Sequence, residues 1–166
     1  MPRYLGQHFL VNKAKIKKIV NALELESKDT IIEIGPGHGE LTSELINWLI
    51  GKNVKANIIA IEKDKLLAKN LEIRIRELGL KNFQIIEGDA LKLLPQLTHN
   101  LQLTTNEYKI VGNIPYYITG YLLRILGELK SKPSLIVLLI QREVAERVCL
   151  SRFSINEGGR SKAKMN

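Results

Sequence analysis

Cysteine is nearly missing from this sequence: Cys149 stands alone. One thiol excludes an internal disulfide framework and leaves too few ligands for a thiolate zinc site. An intracellular, cytoplasmic protein is expected. Long apolar runs are missing as well. The longest, Leu135 to Ile140, is far short of the ~20 residues of a membrane-spanning helix, so no membrane partner is expected. The basic N-terminus has no apolar stretch followed by small residues, which argues against a secretory signal. Histidine is scarce, and His8, His38 and His99 have no partner in the sequence that would make a triad or a metal site; no metal is expected. Acidic charge is in deficit, with 25 Lys and Arg against 17 Asp and Glu, a net of +8. Arg3, Lys13, Lys15, Lys17 and Lys18 precede the first acid, Glu24, and Arg147, Arg152, Arg160, Lys162 and Lys164 load the other end. Such a balance attracts polyanions, nucleic acid among them. A solvated surface with a basic tail accounts for it equally well.

What is present is globular. The 166 residues are 45% hydrophobic and 25% charged, enough for one domain with a real core. Disorder, collagen and coiled coil are poor readings of such a chain. Strand-like and helix-like stretches alternate. Thr30–Ile34, Asn57–Ile61, Phe83–Ile86, Tyr108–Val111 and Ser134–Ile140 are short, β-branched and apolar. Leu41–Ile50, Lys65–Leu78 and Ile118–Leu129 have helical spacing, and Glu143–Cys149 starts a further helix with Val144 and Val148 facing the core. This order predicts an α/β fold, a mostly parallel sheet with helices on both faces. The run at 135–140 fits a strand buried on both sides. Leu97–Glu107 is polar and reads as a loop. Residues 1–150 read as one domain, and 151–166 as a basic, poorly ordered tail.

Ligands of such sheets bind beyond the carboxyl ends of the strands, and the unusual residues lie there. The first strand runs into Gly35-Pro-Gly37-His-Gly39. This is neither the dinucleotide G-x-G-x-x-G nor a phosphate-binding loop with its Lys and Ser/Thr. It suits a nucleoside without a pyrophosphate, such as S-adenosylmethionine. A tight strand-to-helix turn is the plainer alternative. Glu62 ends the second strand, near the spacing expected for a carboxylate that accepts from ribose hydroxyls. Asp89 ends the third, in Gly-Asp89-Ala90-Leu, as a cofactor contact or as a helix N-cap.

The fourth strand ends in Asn113-Ile114-Pro115-Tyr116-Tyr117, the most specific feature. The exocyclic amine of adenine is a poor nucleophile because its lone pair is delocalised into the ring. Two acceptors drawing on its hydrogens would aim that lone pair outward. The Asn113 side-chain oxygen can be one. The Ile114 carbonyl can be the other, since Pro115 biases Ile114 towards an extended backbone. Tyr116 offers a stacking face for a flipped base. Tyr117 reads as a second stacking face or as core. Gln141, after the fifth strand, is placed to reach the same pocket.

Together the segments YLGQHFL, EIGPGHGELT, IEKD, GDAL, NIPYY and QREVAERV resemble, in order and spacing, the ribosomal RNA adenine N(6)-dimethyltransferases of the RsmA/KsgA type. The resemblance covers Tyr4 to about Val148. It implies a Rossmann-like class I fold with S-adenosylmethionine as cofactor. His8 and Leu10 would lie against that cofactor, Gly35 would give close backbone approach to its methionine portion, Glu62 would hold its ribose and Asp89 its adenine amine, with Gly37, Ala90 and Asn113 as further cofactor contacts. Asn113, Ile114, Pro115 and Tyr116 would form the catalytic clamp. The implied substrate is a pair of adjacent adenosines near the 3′ end of small-subunit ribosomal RNA, each doubly methylated on the immature small subunit, by a monomer. Relatives usually continue with two more strands and a helical domain, so a fragment is expected here. Three alternatives stay open: a large-subunit rRNA methyltransferase of the macrolide-resistance type, a DNA adenine methyltransferase, and a non-catalytic RNA-binding module. Ile114, where DNA enzymes usually carry proline, speaks against the second.

Overall fold

A computed structural model describes residues 12–100 and 108–153. Helix α1 (Lys13–Ala22) starts where the Asn12 side chain accepts from the Lys15 amide at 3.1 Å. There follow β1 (Thr30–Ile34), α2 (Glu40–Lys52), β2 (Asn57–Glu62), α3 (Lys65–Glu77), β3 (Phe83–Glu87), α4 (Ala90–Asn100), β4 (Tyr108–Asn113), α5 (Tyr116–Glu128), β5 (Leu135–Leu139) and α6 (Arg142–Phe153). The strands form one five-stranded parallel sheet in the order β3-β2-β1-β4-β5.

Strand periodicity explains the layers. Successive side chains point to opposite faces, so Ile31 joins a cluster with Val20, Leu45 and Leu71 from α1, α2 and α3. Its neighbour Ile32 joins the other cluster, with Leu94, Leu122 and Leu126 from α4 and α5. β1 is central and buried on both faces. The chain leaves β1 towards β2 on one side and returns through β4 on the other, so the switch point lies between β1 and β4. In register, Ile34 lies opposite Ile61 and Gly112, which brings the ends of the three central strands to one rim.

Several boundaries differ from the sequence reading. α4 runs to Asn100, so residues 97–100 are helical rather than loop, and 101–107 lie outside the described residues. Pro95 sits in this helix with its ring exposed. Buried Leu94 and Thr98 hold the helix beyond it, and the Thr98 hydroxyl donates to the Leu94 carbonyl at 3.0 Å. α5 starts at Tyr116, two residues early, with Pro115 as its N-cap; proline suits a helix start because no amide partner is needed there. Strand β5 is an edge among the described residues and only half-buried, with Ile136 exposed, so burial on both sides does not apply to it. Val148 is exposed and Val144 half-buried on α6, so Val148 is not a core residue. α6 continues through the first three residues of the segment read as a tail; 154–166 lie outside the described residues, as do His8 and Leu10.

Candidate functional site

At the carboxyl rim the strand ends enclose a cleft of about 650 Å³. Its wall combines Gly35 and Gly37 after β1, Glu62 at the end of β2, Asp89 and Ala90 after β3, Asn113 to Tyr116 after β4, and Gln141 after β5. The site residues assigned from the sequence and lying within the described residues therefore border one cavity, while Gly39, the last glycine of the motif, lies off it as the N-cap of α2.

The glycine turn has a local cause. Gly35 and Gly37 have φ of +65° and +61°, a region that side chains other than glycine rarely enter. No atom lies within 4 Å of where a Cβ on Gly35 would sit, so this backbone faces open cleft. The Gly35 amide is tied to the Ile61 carbonyl at 2.9 Å, and the Gly37 amide donates to Glu62 Oε2 at 3.0 Å. Gly112 answers a different need. A Cβ there would lie 2.7 Å from the Ile34 carbonyl oxygen, so glycine lets β4 approach β1 just before Asn113.

Glu62 is 4% exposed, and both its oxygens already accept backbone amides, Oε2 from Gly37 and Oε1 from Asp64 at 2.8 Å. It ties the glycine turn to the start of α3, and a ligand would add to bonds already made rather than find an idle carboxylate. Asp89 likewise does two things. Its Oδ1 caps α4 by accepting from the Leu91 amide at 3.0 Å, and its Oδ2 pairs with Lys63 Nζ at 3.0 Å. Burial works to raise its pKa, but the Lys63 hydrogen bond, the Leu91 amide and the Lys63 and Lys92 charges together hold it below the usual range. Lys63 is held above its ordinary value by the same pair.

Glu33 was not singled out from the sequence. It is 1% exposed, borders the cleft, and accepts from the Thr42 hydroxyl at 2.8 Å through Oε2. Its Oε1 is buried with no partner. Burial pushes its pKa from 4.5 up to about 8, with smaller contributions from Glu62 and Glu40 against the lowering effect of Thr42. A carboxylate inside an otherwise apolar central strand was the available signal. Lys63 and Lys15 also border the cleft unannounced, because contacts between distant segments leave no local pattern. Counted by charge, and with the protonated Glu33 left out, the wall carries Glu40, Glu62, Asp64 and Asp89 against Lys15 and Lys63. A net acidic cleft on a basic protein suits a cationic ligand.

On the catalytic side, the Ile114 amide donates to the Leu139 carbonyl at 3.0 Å and its side chain is buried. The Pro115 carbonyl accepts from the Ile118 amide and the Thr119 hydroxyl. The backbone carrying Asn113 and Ile114 is thus fixed between β5 and α5. Tyr116 stands at the mouth with its ring exposed, and Tyr117 is exposed rather than core.

The profile of the family described as ribosomal RNA adenine dimethylase matches residues 2–160. The chain belongs to the ribosomal RNA adenine dimethylase family. A ribosomal RNA small subunit methyltransferase A from Dehalococcoides mccartyi is 40% identical over 146 residues, covering 87% of this chain and 46% of that protein. The chain thus spans about half the length of the curated relatives it matches. A solved dimethyladenosine transferase from Plasmodium falciparum superposes with a TM-score of 0.68 at 29% identity, over 86% of this chain and 46% of the other. The 23S rRNA methyltransferase ErmE gives 0.61 at 27%, over 84% and 50%. With its parallel sheet and these neighbours, this member of the dimethylase family has the Rossmann-like class I methyltransferase fold.

Proposed function

We propose that this chain carries the cofactor-binding and methyl-transferring part of a cytoplasmic, monomeric rRNA (adenine-N6,N6-)dimethyltransferase. Its domain is residues 1–150. Its substrate is a pair of adjacent adenosines near the 3′ end of small-subunit rRNA on the immature subunit. One observation carries the reading: across a single cleft, a glycine turn with acidic neighbours faces an Asn-Ile-Pro-Tyr backbone. The residues fit S-adenosylmethionine, because the acidic wall suits a cation, the glycine turn leaves its backbone open to the cleft, and the buried Glu33 oxygen lacks a hydrogen-bond partner. When bound, that cofactor supplies an electrophilic methyl group on a sulfonium.

The protein's part is positioning. Gly35 and Gly37 offer close backbone approach; Glu62 receives ribose hydroxyls, and Asp89 with Ala90 receives the cofactor adenine. Glu33, beneath the turn, offers a buried carboxyl group for a hydrogen bond to the ligand. Opposite, Tyr116 stacks on the swung-out target base. Asn113 Oδ1 and the Ile114 carbonyl accept the two hydrogens of its amine, directing the lone pair towards the cofactor side. Holding two reactants in this way contributes several kcal/mol, an order of magnitude set by proximity and orientation. The amine becomes acidic once alkylated, so its proton can leave to water after transfer.

Asn113→Ala is the direct test. Transfer of radiolabelled methyl groups to immature small subunits falls by roughly a hundredfold or more, as for loss of a positioned polar group, while calorimetric titration finds cofactor affinity kept. Simultaneous loss of both would refute this division of labour. Glu62→Ala does the reverse and weakens cofactor binding first; an unchanged dissociation constant would count against its role. The likeness to the 23S enzyme ErmE favours one second reading, action on large-subunit rRNA, which methyl mapping on both rRNAs decides.

A further inference from the structure

Three of the chain's five tyrosines fall within a few residues of one another: Tyr116, Tyr117 and Tyr121. All are exposed, at 61%, 55% and 67%. The opposite face of α5 buries Thr119, Leu122 and Leu126, so core packing does not account for the rings at 117 and 121. Tyr117 and Tyr121 are four residues apart and Arg124 three further, which sets them along one face of the helix. Gly120 beside them has open space where a side chain would stand. Arg124 pairs with Glu128 at 2.9 Å, but both are well exposed, and such pairs are weak and readily exchanged. Tyr117 and Lys63 both line the cleft wall. The stripe therefore begins at the cleft mouth and leads away from it, aromatic and basic, on a chain of net charge +8.

Resting on the rRNA reading above, we propose that Tyr117, Tyr121 and Arg124 form a track for single-stranded RNA flanking the target adenosine. Tyr117 and Tyr121 stack on successive bases, and Arg124 faces a backbone phosphate. Stacking platforms beside basic groups are the sequence-tolerant way to hold unpaired nucleotides. A track leaving the pocket would keep the target strand open while the base is swung out.

The test uses the full chain and two RNA probes carrying a fluorescent adenine analogue. One holds only the target adenosines; the other extends as a single strand to both sides. Tyr121→Ala is expected to weaken binding of the long probe about tenfold, the usual scale for one lost stacked base, and to leave the short probe unchanged. Tyr121→Trp restores affinity. Arg124→Gln weakens only the long probe and flattens its salt dependence, as loss of a phosphate contact does. All three positions project into solvent, so thermal unfolding stays at the wild-type midpoint. Equal binding of the long probe by wild type and Tyr121→Ala would overturn the track, including the case in which this face meets a protein instead. Equal loss on both probes would overturn it too. Failure of the unaltered protein to bind either probe would sink the rRNA reading, and the track with it.

Discussion

Lys109 and Glu33 are both ionisable residues buried in adjoining strands of one sheet, at its two ends. Lys109, near the start of β4, is 8% exposed; its Nζ donates to Asp29 Oδ2 at 2.8 Å and to the Glu24 carbonyl at 2.6 Å. Asp29 in turn accepts the Glu26 amide at 2.7 Å. Charge and hydrogen bonds are closed there, and the clasp joins α1's exit to the sheet. Glu33, near the end of β1, has Thr42 on one oxygen and nothing on the other. An unpaired buried carboxylate is costly, and burial answers by pushing it towards the neutral form. The end that only has to hold the fold is complete. The end at the cleft leaves one carboxyl oxygen without a partner.

The sharpest way to break this contrast is to cut the clasp. Lys109→Met leaves Asp29 without its buried partner and lowers stability by about 3–5 kcal/mol, the usual cost of breaking a buried pair, read from urea unfolding. A loss near zero would make the two ends alike. At the other end the sign reverses with pH. Native Glu33 keeps a proton that the unfolded chain releases above pH 4.5, so stability falls as pH rises from there to about 8 and then levels off. Glu33→Gln lacks that decline and is more stable than wild type above pH 8, by an amount on the order of a few kcal/mol. Matching pH profiles for the two proteins would remove Glu33 as the odd member of the pair. The smallest effect belongs to Asp89, whose cap on α4 is partly open to solvent. Asp89→Ala costs about 1 kcal/mol in a thermal melt. Because its pKa is held low, that contribution is present above the usual aspartate range and fades as pH drops below it.

The rim was the legible part of the sequence. Each central strand is a β-branched run stopped by glycine or a carboxylate, and the parallel order followed from the alternation, so Gly35, Glu62, Asp89 and Asn113 could be set at strand ends before any contact was known. Their secondary engagements could not. Glu62 holding the Gly37 and Asp64 amides, Lys63 reaching Asp89, and Lys109 meeting Asp29 all join segments far apart in sequence. α4 was hidden by Pro95 and a polar stretch, since its persistence rests on Leu94 and Thr98 finding a buried site. The solvent-facing position of Tyr117 depends on where α5 starts, and periodicity locates helix ends poorly.

All five strands run the same way, so each hands over to a helix at one common rim. Turns at that rim can lengthen, shorten or change side chains without disturbing a single pairing below. A descendant facing another nucleic acid, or another atom of the same base, would need only new edges on an unchanged frame.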